Sequence, residues 1–139
     1  MASTEDGIKT LLVAAGVGVF AATTGWSIQI GRIIDEPDTQ IVIFATGGKP
    51  SEPKLAIDYP SVQVLVRGSA NGYEAARQKI IDVKNALLGL PSQTVNGDRW
   101  DSVLAIGDIK GMGYDQKQRP SFVMNFSLII EPATTGYRQ

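Results

Sequence analysis

Residues 46–60, running Thr-Gly-Gly-Lys-Pro-Ser-Glu-Pro-Lys-Leu-Ala-Ile-Asp-Tyr-Pro, constrain what this chain can fold into more than any other stretch. On one side residues 40–45 have strand character, and on the other residues 61–67 alternate as Ser-Val-Gln-Val-Leu-Val-Arg. Between them, three prolines and two adjacent glycines oppose both helix and sheet hydrogen bonding. Connections in compact domains run to about 4–6 residues, and structureless ones above about 12–15 are mostly functional or disordered. The stretch also carries Leu55, Ile57 and Tyr59, apolar side chains that a solvated linker would not need. It reads as an arm lying on its own domain or on a neighbouring copy.

A chain of 139 residues fits one domain spanning 1–139. Thirteen basic against fourteen acidic residues leave a net charge of −1, so no overall field draws the chain to nucleic acid or to an anionic membrane. The chain has no cysteine and no histidine. That removes disulfides, thiolate nucleophiles, common zinc sites and the usual neutral-pH base, which argues against an enzyme.

Along the chain, Ser3 or Thr4 can cap a first helix with Glu5 and Asp6 in its first turn, and Gly16 can stop it. The apolar run 11–22 is too short to span a bilayer and follows acidic residues where a signal peptide needs positive charge, so it reads as helix and loop. Alternation from Trp26 to Gly31 gives a strand, and residues 35–38 a turn. Residues 71–88 form the clearest helix, capped by Asn71, with Tyr73, Ala76, Ile80, Val83 and Leu87 as a stripe facing the core. Asn96-Gly97 is a hairpin turn and 122–130 the longest strand, while Gly107, Gly111 and Gly113 punctuate a bend or loop between them. The tail 133–139 reads as loose. These elements give an α+β fold, two helices packed on one face of a largely antiparallel sheet.

Nucleotide motifs fail in context. Gly16-Val17-Gly18-Val19-Phe20-Ala21, with Asp35 further on, fits a dinucleotide fingerprint but follows a helix instead of a strand. Gly47-Gly48-Lys49 is followed by Pro50 where a phosphate loop needs Ser or Thr. Paired acids, Asp35 with Glu36 and Asp98 with Asp101, sit in turn contexts that favour solvation. Trp26 and Trp100 lie in alternating strands and read as core.

The segment Ile41-Val42-Ile43-Phe44-Ala45-Thr46-Gly47-Gly48 followed by residues 58–67, Asp-Tyr-Pro-Ser-Val-Gln-Val-Leu-Val-Arg, resembles the minor capsid or tail-terminator proteins of tailed bacteriophages. Ala75-Ala76, Leu88-Gly89-Leu90, Asn96-Gly97 and residues 119–125 stand in the family's order, while 15–25 is richer in glycine and alanine than the family pattern. The resemblance implies a structural virion protein, without catalysis, cofactor or metal. It would form a homomeric, usually hexameric, ring at the head-proximal end of the tail tube, stop tube growth and dock to the head connector. Partners would then be other copies, the tube protein and a connector or neck protein, with genomic DNA passing through the lumen unread and no membrane involved. Assembly would take place in the host cytoplasm. Gly47, Gly48, Lys49, Leu55, Ile57 and Tyr59 would supply the interface. Another neck protein, for tail completion or head closure, is the neighbouring alternative, and a small nucleotide-binding domain the one outside this class.

Overall fold

The computed structural model describes residues 3–52 and 56–133. Its elements in order are α1 (Thr4–Ala14), β1 (Val19–Phe20), β2 (Ser27–Ile30), β3 (Gln40–Glu52), β4 (Ile57–Arg67), α2 (Tyr73–Leu88), β5 (Gln93–Val95), β6 (Asp98–Tyr114) and β7 (Pro120–Glu131). Helix α1 starts where the Ser3 hydroxyl accepts the Asp6 N–H at 3.1 Å. After it the chain reverses through Gly16 at φ +74°, a left-handed conformation glycine adopts without a Cβ clash. Helix α2 starts differently from the sequence expectation. Its N-cap is Gly72 without a side-chain bond, and Asn71 sits at φ +59°.

The seven strands form one sheet in the order β1-β2-β3-β4-β7-β6-β5. The β1–β2 and β2–β3 pairs are parallel and the other four antiparallel. Strands take up 48% of the structure and the sheet curls into a half-barrel, which overturns the expectation of two helices laid on one face of a simple antiparallel sheet. The cause lies in two stretches expected as loops. Strands β3 and β4 continue into 46–60, and β6 runs through Gly107, Gly111 and Gly113. Register shifts at Ala45/Gly47, Lys49/Glu52, Trp100/Ser102, Ile106/Lys110 and Gly111/Gly113 mark the irregularities that let strands this long bend.

The core gathers Ile8 and Leu12 of α1, the α2 stripe and the inward side chains of β2, β3, β4 and β7. Along β7, Phe122, Met124, Phe126, Leu128 and Ile130 all point into it, the alternation that the period of two predicts. Each such side chain removed from water contributes about 1.5–3 kcal/mol before entropy is counted. Helix α1 lies tight on this core, because a Cβ at Gly7 would stand 2.2 Å from the Trp100 ring. Ala133 donates its N–H to the buried Asp98 carboxylate at 2.8 Å, and the rest of the expected loose tail, 134–139, lies outside the described residues.

Candidate functional site

The outer half of the β3–β4 hairpin replaces the expected arm. Gly47 pairs with Ser61, Gly48 with Pro60 and Lys49 with Tyr59, and the Thr46 and Ser61 hydroxyls meet at 2.6 Å. Glycine is required at 48, where φ is +104° and a Cβ would stand 2.1 Å from the Tyr59 carbonyl oxygen. Pro50 is tolerated because no strand pairs with β3 on its other side there, so a missing N–H costs no ladder bond. Residues 45–52 are exposed, while Ile57 and Tyr59 are half-buried. Leu55 lies outside the described residues.

Across the sheet, β6 carries the largest run of exposed apolar side chains. Leu104, Ile106, Met112 and Tyr114 are 50–54% exposed. Single exposed apolar residues need no explanation, but four on one strand mark a surface suited to association. A smaller patch at the β1 end of the sheet joins Val13, Val19 and Phe20, with the Lys9 ammonium 4.8 Å from the Phe20 ring centre.

Two buried arginines fix the base of this assembly. Arg67, at the end of β4, donates from Nε to the Asp38 carbonyl at 2.9 Å and from Nη2 to the carbonyls of Asp35 and Pro37 at 3.0 and 2.9 Å. Arg119, just before β7, reaches the Asp115 carboxylate at 2.8 Å, Asp38 at 3.1 Å and the Asp35 carbonyl at 2.8 Å. Lys117 closes on the Asp35 carboxylate at 2.8 Å. Burial pulls the Arg67 pKa down, whereas the bonds to Asp115 and Asp38 hold that of Arg119 up against its own desolvation. The Lys117 bond lowers the Asp35 pKa, and the Arg119 backbone N–H lowers that of Asp115. The connection 31–39 is thereby tied to the β6–β7 turn.

The sequence marks 35–38 as a turn and the Asp35–Glu36 pair as solvated, and singles out neither Arg67 nor Arg119. The available signal was an arginine at one end of each of two apolar alternating runs, Arg67 closing the first and Arg119 preceding the second, with an acid-rich turn elsewhere in the chain. Asp98 was likewise expected to be solvated and is buried. Of the helix residues singled out, Ile80, Val83 and Leu87 are buried, and Tyr73 is 43% exposed with its ring edge-on to Phe122 at 5.0 Å. Gly47-Gly48-Lys49 leads into a hairpin, not into a helix N-terminus. Among the described residues no group of three or more acids stands where it could hold a metal, and no helix is long and apolar enough to cross a membrane.

No curated protein matches the chain. A chain from the virion of a native gene transfer agent particle shares the fold, at TM-score 0.71 and 16% identity over 93% of this chain and 95% of that one. Two structures from Akkermansia muciniphila align at TM-scores of 0.36 and 0.37 with 10% and 11% identity, over 69% of this chain and 46% and 44% of theirs. Likeness at that level carries no argument. The profile of the bacteriophage tail terminator protein matches residues 11–132, nearly the whole described sheet, and the chain therefore belongs to the bacteriophage tail terminator family, as a structural protein of the virion.

Proposed function

We propose that this chain forms a homomeric, hexameric ring at the head-proximal end of the tail tube, where it stops tube growth and presents a docking surface to the head connector. The family match along residues 11–132 carries this reading. The exposed outer hairpin supports it, since a strand pair projecting beyond the core needs a partner surface. A ring requires head-to-tail contacts between unlike surfaces, and the chain offers such surfaces on β3 and β6. Gly47, Gly48, Lys49, Ile57 and Tyr59 supply the hairpin contact, and the tube protein and a connector or neck protein are the other partners. Genomic DNA passes through the lumen without base readout, in keeping with a net charge of −1. The ring acts by shape, without catalysis, and assembles in the host cytoplasm. Electron microscopy of the particle tests the reading: density for this chain is expected as one ring between tube and connector. Density along the whole tube, or inside the head shell, overturns it.

A further inference from the structure

Besides the outer edges of the short strands β1 and β5, a stretch of β3 and a stretch of β6 stand open among the described residues. Strand β2 pairs with β3 only from Gln40 to Ile43, and β5 pairs with β6 only from Asp98 to Trp100. Beyond those points β3, over 44–51, has only β4 beside it, and β6, over 101–106, has only β7. Long open edges are templates for pairing with another chain. At 107–109 the irregularity in β6 accompanies an ion pair from Asp108 to Lys84 of α2 at 3.0 Å, so the regular edge stops at Ile106.

The two edges match each other. Following the register across the sheet, Phe44 is level with Gln63, Asn125 and Ile106, and Gly47 with Ser61, Ser127 and Leu104. Both edges therefore lie at one height of the four-strand unit β3-β4-β7-β6. All three pairings within that unit are antiparallel, so β3 and β6 run in opposite directions. A second copy displaced sideways by a rotation about an axis near the strand direction places its β3 antiparallel to the first copy's β6. At this height the alternation continues from one copy to the next, while at 40–43 and 98–100 the flanks are held by β2 and β5. An isologous pairing of β6 with β6 would bury Leu104 and Ile106 too, but it would leave every β3 edge open.

We propose that the open edge of β6, residues 101–106, pairs with the open edge of β3, residues 44–51, of a second copy of this chain, so that the sheet runs on from subunit to subunit. The proposal rests on the ring reading and names the surfaces that build it. Leu104 and Ile106, 53% and 50% exposed in the single chain, become covered by the neighbour's hairpin around Phe44 and Gly47.

The chain contains no cysteine, so introduced thiols report the contact cleanly. Within one copy the two edges are three strand spacings apart, about 14 Å, too far for a disulfide, which needs Cα atoms within about 7 Å. Phe44→Cys or Lys49→Cys protein is mixed with Leu104→Cys or Ile106→Cys protein on purified tail tubes, oxidised, and run without reductant, with micrographs of the same tubes. Disulfide-linked dimers are expected in mixtures of a β3 variant with a β6 variant, and in neither variant alone. Dimers of one variant with itself overturn the proposal in favour of two-fold pairing. Capped tubes without any mixed dimer overturn the edge pairing and leave the ring standing, whereas tube ends without any ring bring down both. As a second arm, Ile106→Lys places a charge on the edge, and capped tubes should fall by about tenfold or more with the melting temperature unchanged. Capping at the wild-type level by that variant overturns the proposal.

Discussion

Arg67 and Arg119 look equivalent, both buried at strand ends and both holding residues 35–38, yet their removal should differ in cost. In Arg67→Met three bonds to backbone carbonyls are lost, but the Asp35 carbonyl keeps Arg119 Nη1 at 2.8 Å and the Pro37 carbonyl keeps Gln40 Nε2 at 2.8 Å. Only the Asp38 carbonyl must then find water. The variant also removes a cation whose burial is unfavourable, as its lowered pKa shows. One hydrogen bond to a charged group is worth about 1.5–3 kcal/mol, and relief of the buried charge brings the net loss to about 1–2 kcal/mol. Arg119→Met instead leaves Asp115, Asp38 and Asp35 facing one another with Lys117 paired to Asp35 and the Arg67 guanidinium committed to backbone carbonyls. Breaking a buried pair costs about 3–5 kcal/mol, but these acids are 36–61% exposed and partly screened, so about 2–3 kcal/mol is expected. Urea unfolding followed by Trp26 and Trp100 fluorescence measures both, with equal m-values confirming that the compared states match. The sign with pH is fixed as well. Asp35 and Asp115 have lowered pKa values in the folded chain, so their contribution is present above the ordinary carboxylate pKa and is lost as pH falls through the lowered one. The gap between wild type and Arg119→Met should therefore narrow from pH 7 towards pH 3. Equal losses for the two variants, or a gap that widens in acid, would refute the reasoning.

Other outcomes are as definite. Ile80→Ala or Leu87→Ala should lose about 2–5 kcal/mol in the same urea assay, because each truncation opens a cavity in a fully packed face. Gly48→Ala should cost more than about 1 kcal/mol, with amide chemical shifts moving on both 47–49 and 59–61, since the added methyl meets backbone and not a yielding side chain. Glu131 has its pKa raised, chiefly by its hydrogen bond with Asp101. Glu131→Gln should raise the melting temperature at pH 7, where two carboxylates would otherwise confront each other, and change nothing at about pH 3, where Glu131 is already protonated.

Where local chemistry decided the conformation, the sequence could be read. The Asn96-Gly97 turn takes the two positive φ angles, +49° and +89°, that its residues favour. The stripe Ala76, Ile80, Val83 and Leu87 is buried at helical spacing, and Ser3 caps α1. Where the tertiary neighbourhood decided, the sequence misled. Pro50 and Gly48 argue against strand when taken alone. They are accommodated because β3 is an edge at that height and because the Tyr59 carbonyl approaches too closely for any Cβ. Gly107 and Gly113, at φ +76° and +81°, read as a loop but provide the bulges that keep β6 in the sheet. Gly47, Lys49 and Tyr59 could be picked out from the sequence, but as an arm and not as the paired hairpin they form. The exposed apolar side chains of β6 went unread, because nothing in the local sequence shows that the face carrying Leu104 and Ile106 has no element packed over it.

The placement of β7 bears on how the molecule comes into being. This strand is the last of the seven in the chain, yet it lies between β4 and β6. As synthesis proceeds, at about 5–20 residues per second, the β3–β4 hairpin and the β5–β6 hairpin emerge first, with nothing to join them. Each shows a bare flank that only β7 can fill. Val66 must wait for Phe122 and Ser61 for Ser127, pairings between residues far apart in the chain, and loops of that length are closed late and slowly. The nascent protein is therefore most prone to stick to other chains in the seconds before β7 arrives. Arrival of that strand joins the two hairpins in one step, so the sheet becomes continuous only once the last strand is in place.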